Sequence, residues 1–91
     1  MSAELEIRMA QMAARFAARA GEHEAALQAA IAADDREAIA SQAHRLAGIA
    51  GMFGQPQVGE AAARLEDIVE AGGDYLDAAE RLSAMLRDLR D

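Results

Sequence analysis

Apolar residues recur at steps of three and four along four stretches of the chain, and short polar or glycine-containing stretches separate them. In the second stretch the apolar positions are Ile39, Ala43, Leu46, Ala50 and Phe53. This spacing is the period of an amphipathic α-helix and not the alternation of a β-strand. The pattern therefore predicts four helices, over about residues 3–33, 35–53, 56–71 and 74–90.

The other three predicted helices each carry one apolar face that is expected to enter a common core. The positions are Leu5, Met9, Met12, Phe16, Ala20, Leu27 and Ile31 in the first helix, Val58, Ala61, Leu65, Ile68 and Val69 in the third, and Tyr75, Ala79, Leu82, Leu86 and Leu89 in the fourth. Alanine is abundant on these faces, so the helices can approach one another closely.

Three short segments mark the ends of the helices. Asp34 or Asp35 is expected to cap the second helix, because an aspartate side chain accepts hydrogen bonds from free N–H groups. Gly54 is expected to end that helix in a left-handed conformation, and Pro56 suits the first turn of the third. Asp74, after the pair Gly72-Gly73, is expected to cap the fourth helix.

Connections this short make successive helices antiparallel neighbours, which predicts an all-α, antiparallel four-helix bundle of up-down-up-down topology. The composition agrees, because alanine, leucine, arginine and glutamate favour helices, while the β-branched and aromatic residues typical of strands are scarce. The chain has 91 residues, so we expect a single domain over residues 1–91. The methionine start and compact length favour a free-standing protein.

Charge and composition exclude several classes of function. The net charge is -7, and the nine basic residues are all arginines scattered along the chain, so neither a nucleic acid nor an anionic membrane surface is an expected partner. The absence of cysteine excludes disulfides, thiolate metal sites and a cysteine nucleophile. No apolar run or leader suggests a membrane span or signal peptide, so we expect a cytoplasmic protein.

His44 is the candidate reactive residue. It projects about 140° from the middle of the apolar stripe of its own helix, so its side chain is expected to face solvent. The positions that share its face are all small: Ala40, Ser41, Ala47, Gly48 and Gly51. A side chain at i+4 would ordinarily lean onto the imidazole, and Gly48 has none. The predicted result is an accessible nucleophile on a bare strip of helix.

Simpler interpretations of these residues stay open at this point. His44 could be a core histidine or an ordinary surface histidine, with Gly48 and Gly51 present for helix packing. His23 has no Cys, Asp or His at i+3 or i+4 and is expected to be an exposed helix residue. The acidic residues of the third helix are expected to form its solvated face; they are Glu60, Glu66, Asp67 and Glu70.

Residues 43–54, Ala-His-Arg-Leu-Ala-Gly-Ile-Ala-Gly-Met-Phe-Gly, resemble the signature of histidine-phosphotransfer domains. The similarity lies in His44, Leu46, Gly48 and Gly54, and it extends to Leu27, Ala30 and Asp35 upstream and to Leu65-Glu66 downstream. The resemblance implies that His44 accepts a phosphoryl group, through its Nε2 atom, from an aspartyl phosphate on a response-regulator receiver domain and passes it to another receiver.

The resemblance also implies the cofactors and partners. The chain would be a relay component and not a kinase, with receiver domains and a hybrid histidine kinase as its partners. It would bind no cofactor or metal itself, and Mg²⁺ would be held by the receiver. An imidazole nitrogen is nucleophilic near neutral pH, whereas phosphoryl transfer also needs positioning and charge neutralisation, which the partner would supply.

The sequence departs from the family pattern at Ala47, where a lysine usually supports the phosphoryl group. Arg45 is the nearest basic residue, about 100° around the helix from His44, and Arg36 and Arg64 are further candidates for this role. The small residues that share the face of His44 are the expected partner-docking surface: Ala40, Ser41, Ala47, Gly48 and Gly51.

Two other functions remain as alternatives. The first is a helical adaptor or inhibitor that binds a receiver or a histidine kinase without being phosphorylated, which the alanine at position 47 favours. The second is a structural protein that self-associates through its alanine-rich faces. For the phosphotransfer function we expect a monomer.

Overall fold

The computed structural model describes residues 2–90 and contains four helices in this range. They are α1 (Ser2–Ala32), α2 (Arg36–Met52), α3 (Pro56–Glu70) and α4 (Leu76–Arg90). Helix α1 packs against α2 and α4, and α3 packs against the same two helices. The predicted all-α, antiparallel four-helix bundle is therefore confirmed. None of the helices described is long and apolar enough to cross a membrane.

The core forms from one stripe of each helix, as the apolar spacing predicts. In α2 the buried residues are Ile39, Ala43, Leu46 and Ala50, and Phe53 just beyond the helix is half-buried. The other three helices contribute fully buried leucines to the same core: Leu27 from α1, Leu65 from α3, and Leu82 and Leu86 from α4. Burial of this stripe fixes the rotation of α2 and therefore the direction in which its opposite face points.

The ends of α2 follow the predicted chemistry. The Asp35 carboxylate accepts a hydrogen bond from the Ala38 N–H at 3.1 Å and so caps the first turn. Gly54 adopts φ +77°, and the N–H of Gln55 donates to the Ala50 carbonyl at 2.8 Å, which closes the last turn. Glycine adopts this left-handed conformation more readily than residues that carry a side chain. These two ends set the length of the helix that carries His44.

The start of α4 differs from the prediction. Asp74 does not occupy the capping position, because α4 begins at Leu76. The carbonyl of Tyr75 accepts the hydrogen bond from Ala79 at 2.8 Å, so Tyr75 is the flanking residue. Its hydroxyl donates to the Asp34 carboxylate, which raises the pKa of Tyr75 and holds this residue against the α1–α2 turn. Asp74 still accepts a hydrogen bond from the Leu76 N–H, at 3.2 Å.

The beginning of α1 also departs from the prediction. Leu5 and Met9 were expected in the core, yet they are 59% and 51% exposed. The turn between α2 and α3 reaches only the level of Ala13, whose Cβ lies 3.8 Å from an ideal Cβ position on Gly54. Residues 2–11 are all exposed and extend past this turn, so no neighbouring helix covers their apolar positions.

Candidate functional site

His44 stands on the face of α2 opposite the core. Its side chain is 75% exposed, whereas Ala43 and Leu46, on the other side of the same helix, are fully buried. The spacing of the apolar residues therefore gave the correct direction for the ring. A core histidine is excluded by this exposure.

The helix surface around His44 is bare on one side. An ideal Cβ built on Gly48 or Gly51 meets no other atom within 4 Å, so both positions face open space. Ser41 is exposed, while Ala40 and Ala47 are half-buried. The glycines at positions 48 and 51 are therefore not required by contacts with another helix, which argues against the interpretation that they serve only close packing.

One contact on the ring was not predicted. The Nδ1 atom of His44 lies 2.8 Å from a carboxylate oxygen of Glu66 on α3. Glu66 was expected on the solvated face of its helix, but only 19% of its side chain is exposed. That expectation is wrong because α3 packs closely against α2, and Glu66 lies at the interface between the two helices.

Gly59 on α3 faces the backbone of α2 next to this contact. An ideal Cβ at Gly59 would lie 3.4 Å from the carbonyl oxygen of Ala47 and 3.5 Å from the backbone nitrogen of Gly51. These are ordinary contact distances, so alanine would fit here, whereas a longer side chain would push the two helices apart. Gly59 is therefore a second residue of the site that the sequence did not reveal, although it carries no chemistry itself.

Each of the three arginines considered as phosphate support has different surroundings. Arg36 donates to the carbonyls of Val69 and Gly73, at 3.1 and 2.8 Å, and stacks on the Tyr75 ring. Arg64 lines a cleft between α3 and α4, about 160° around α3 from Glu66. Arg45 lines a groove on the α1 side of α2. Within residues 2–90, Glu66 is the one hydrogen-bonding partner of the His44 ring.

His23 lies in that same groove and is half-buried, not exposed as expected. Its ring stacks on Phe16 with the ring centres 5.5 Å apart. Burial lowers the pKa of His23 below the ordinary value of 6.5, and the Arg19 and Arg45 guanidinium groups lower it further, against an opposing effect of Glu22. The folded protein therefore favours the neutral ring.

This shift predicts how stability changes with pH. Well above pH 6.5, His23 is neutral in both the folded and the unfolded chain, so it does not change the free energy of unfolding. As the pH falls below that value, the unfolded chain binds the proton more readily, and the free energy of unfolding decreases until the pH passes the lower pKa of the folded state. We expect urea unfolding at pH 7.5 and 5.5 to show a smaller decrease for His23→Gln than for the wild type; equal decreases would contradict the prediction.

Comparison with known protein families places the chain in one of them. The model of the Hpt domain family matches residues 11–91, which include His44, Gly48, Gly59 and Glu66. The chain belongs to the Hpt domain family. The comparisons found no match among curated proteins or solved structures. Family membership gives this Hpt domain a role in a two-component phosphorelay, alongside other phosphorelay proteins.

The role of Glu66 in this Hpt domain could be predicted only in part from the sequence. The pair Leu65-Glu66 was recognised as part of the family resemblance, yet Glu66 was interpreted as solvated because a single helix shows only which face is polar. Its contact with His44 depends on the relative rotation of α2 and α3. The described residues also contain no group of three or more His, Asp or Glu side chains placed to hold a metal ion.

The contact between Glu66 and His44 predicts a graded effect of substitution. Glu66→Ala removes the acceptor, so the ring loses its fixed orientation; on the hypothesis that His44 receives a phosphoryl group, we expect transfer to slow on the order of ten- to a hundredfold. Glu66→Gln keeps a carbonyl oxygen that can accept from Nδ1 and should be slowed less. Single-turnover transfer rates measure this order. Glu70→Ala, on an exposed residue one turn further along α3, is the control, and a Glu66→Ala rate equal to that of Glu70→Ala would contradict the prediction.

Proposed function

We propose that His44 is the phosphoryl acceptor of this Hpt domain, and that it takes the group from the aspartyl phosphate of one receiver domain and transfers it to another. One observation carries the proposal. An exposed imidazole is held through Nδ1 by Glu66, and the helix surface next to it, at Gly48 and Gly51, is open.

The hydrogen bond to Glu66 determines which nitrogen reacts. An ionised carboxylate only accepts hydrogen bonds, so Nδ1 carries the proton, and in the neutral ring the lone pair then lies on Nε2. Nε2 is the outer ring atom. Its lone pair forms the N–P bond while the P–O bond to the donor aspartate breaks, and the aspartate leaves with that electron pair. The resulting ring is cationic, and the Glu66 carboxylate beside it balances this charge.

The return step uses the same geometry in reverse. A carboxylate of the second receiver attacks phosphorus, the N–P bond breaks, and the electron pair returns to Nε2. Neutralisation of the phosphoryl oxygens is assigned to the receiver, whose Mg²⁺ would supply it, because the His44 ring is paired with a carboxylate and the described residues hold no group of three or more possible metal ligands. The Hpt domain then acts as a carrier and not as a kinase.

The test is to locate the phosphoryl group after transfer. The protein is incubated with a receiver domain phosphorylated on its aspartate, in the presence of Mg²⁺, and the product is digested at neutral pH. We expect an acid-labile phosphohistidine on the peptide that contains His44. Label on the peptide that contains His23, or no label with any receiver of a broad panel, would overturn the proposal.

A second candidate function is an adaptor that binds a receiver or a histidine kinase without accepting a phosphoryl group. The distribution of the arginines favours it, since Arg36 and Arg64 both point to other parts of the bundle. The same experiment separates the two functions. An adaptor would bind the receiver and remain unlabelled, whereas a carrier would be labelled on His44.

A further inference from the structure

A groove between α1 and α2 lies beside the face that carries His44. It has a volume of about 370 Å³, and its walls come from both helices: Arg15, Phe16, Arg19 and His23 of α1, Arg45 and Ile49 of α2, and Phe53 directly after α2. The proposed phosphotransfer chemistry does not use this groove. Its composition therefore calls for a separate explanation.

The rim of the groove is positively charged. Three of the nine arginines of a chain with net charge -7 gather here, and the residues that line the groove include no carboxylate. Arg19 makes an exposed ion pair with Glu22 at 3.4 Å. Arg15 and Arg45 make no ion pair within residues 2–90. A rim of this kind attracts a negatively charged surface.

The floor of the groove is apolar. Phe16 is 3% exposed and joins the core, and the His23 ring stacks on it. Ile49 and Phe53 are half-buried against the core from the α2 side. The groove therefore suits an apolar side chain that is flanked by carboxylates, because the floor would cover the side chain and the arginines would pair with the charges.

The groove is continuous with the His44 face. Arg45 and Ile49 directly follow His44 and Gly48 in α2, so one partner surface would cover both. A protein interface of ordinary size buries about 800 Å² on each side, which corresponds to a radius of roughly 16 Å around the reacting atom. Gly48 and Gly51 have no side chains that a partner could contact. Binding energy in interfaces concentrates at arginine and aromatic residues in pockets, and the groove has both.

We propose that this groove anchors the receiver domain that exchanges the phosphoryl group with His44, by binding an apolar side chain that is flanked by carboxylates. The inference rests on the proposed function. The charge fits a partner surface that carries carboxylates, because three arginines line the groove and no carboxylate does. The bare strip at Gly48 and Gly51 then lets the receiver come close to His44, and the groove provides binding energy and fixes the position of the receiver on the bundle.

The test compares two exposed arginines, neither of which makes an ion pair within residues 2–90. Arg15 lies on the rim of the groove, and Arg81 lies in the cleft between α3 and α4. The probe is a receiver domain that phosphorylates the wild-type protein. We expect Arg15→Glu to raise the KM for the phosphorylated receiver by about tenfold or more, and Arg81→Glu to change it less than about twofold. The difference should shrink at 0.5 M NaCl, because salt screens exposed charges.

A second variant tests the floor without changing the charge. Ile49→Ala removes apolar surface from the groove, and we expect it to raise the same KM by several-fold while circular dichroism shows an unchanged helix content. Unchanged KM values for Arg15→Glu and Ile49→Ala, with transfer to the wild type intact, would overturn the groove proposal alone. The groove proposal would also be overturned if the wild type formed a dimer that both variants abolished, because the groove would then bind a second copy of this chain. Absence of transfer to the wild type would instead count against the proposed function.

Discussion

Replacement of His44 by glutamine is expected to abolish labelling by a phosphorylated receiver. Glutamine is close to histidine in polarity and fits the exposed position, so the bundle should keep its stability. It has no ring nitrogen with a free lone pair, however, and its amide is not a nucleophile toward phosphorus. We expect the label transferred to fall below detection, which is a larger effect than loss of any supporting contact would give.

The same variant contains its own control, because it retains His23. If transfer were a general reaction of histidines on this protein, His44→Gln would still be labelled through the second ring. Thermal unfolding followed by circular dichroism establishes that the fold is kept. Labelling of His44→Gln at the wild-type rate would contradict the assignment of His44 as acceptor.

The second large effect is expected for Gly48→Leu. A side chain at position 48 lies one turn after His44 and leans toward it, so a leucine would cover the ring and occupy the open strip. We expect transfer from the receiver to slow by about a hundredfold, because displacement of the reacting atoms by even about 1 Å has an effect of this size. Single-turnover transfer and direct titration with the receiver measure it.

Gly48→Ala provides the matched control. Its Cβ meets nothing within 4 Å, and alanine favours a helix by roughly 1 kcal/mol over glycine, so this variant should be more stable than the wild type. Its single methyl group should slow transfer much less than leucine does. Equal transfer by Gly48→Leu and the wild type would show that the bare strip is not a docking surface.

The direction of His44 could be predicted from the sequence because it depends on one helix only. The stripe from Ile39 to Ala50 must be buried, and the period of the helix then fixes the opposite face. The Asp35 cap and the Gly54 helix end are equally local, since each depends on backbone groups within a few residues.

The surroundings of His44 could not be predicted in the same way. The contact with Glu66 requires the distance and rotation between α2 and α3, which Gly59 helps to set. His23 was expected to be exposed because no Cys, Asp or His lies at i+3 or i+4, but the groove that half-buries it is formed with α2. In both cases the deciding information is in the packing of two helices and not in either helix alone.

The exposure of Leu5 and Met9 has a related cause. Their spacing continues the apolar face that Phe16 and Ala20 begin, so periodicity alone extends the core along the whole of α1. Whether a face is covered depends on the length of the helices opposite it. Helix α2 ends at Met52 and α3 starts at Pro56, and together they are too short to reach the first turns of α1.

The bond from His44 to Glu66 joins the reactive ring to a helix other than its own. In the proposed reaction, transfer of a phosphoryl group to Nε2 would make the ring cationic and strengthen its attraction to the carboxylate on α3. By thermodynamic linkage, a contact that stabilises the phosphorylated ring must stabilise the α2–α3 packing by the same free energy when the phosphoryl group is present. The chemical state of one exposed side chain is thereby coupled to the cohesion of the helix pair beneath it.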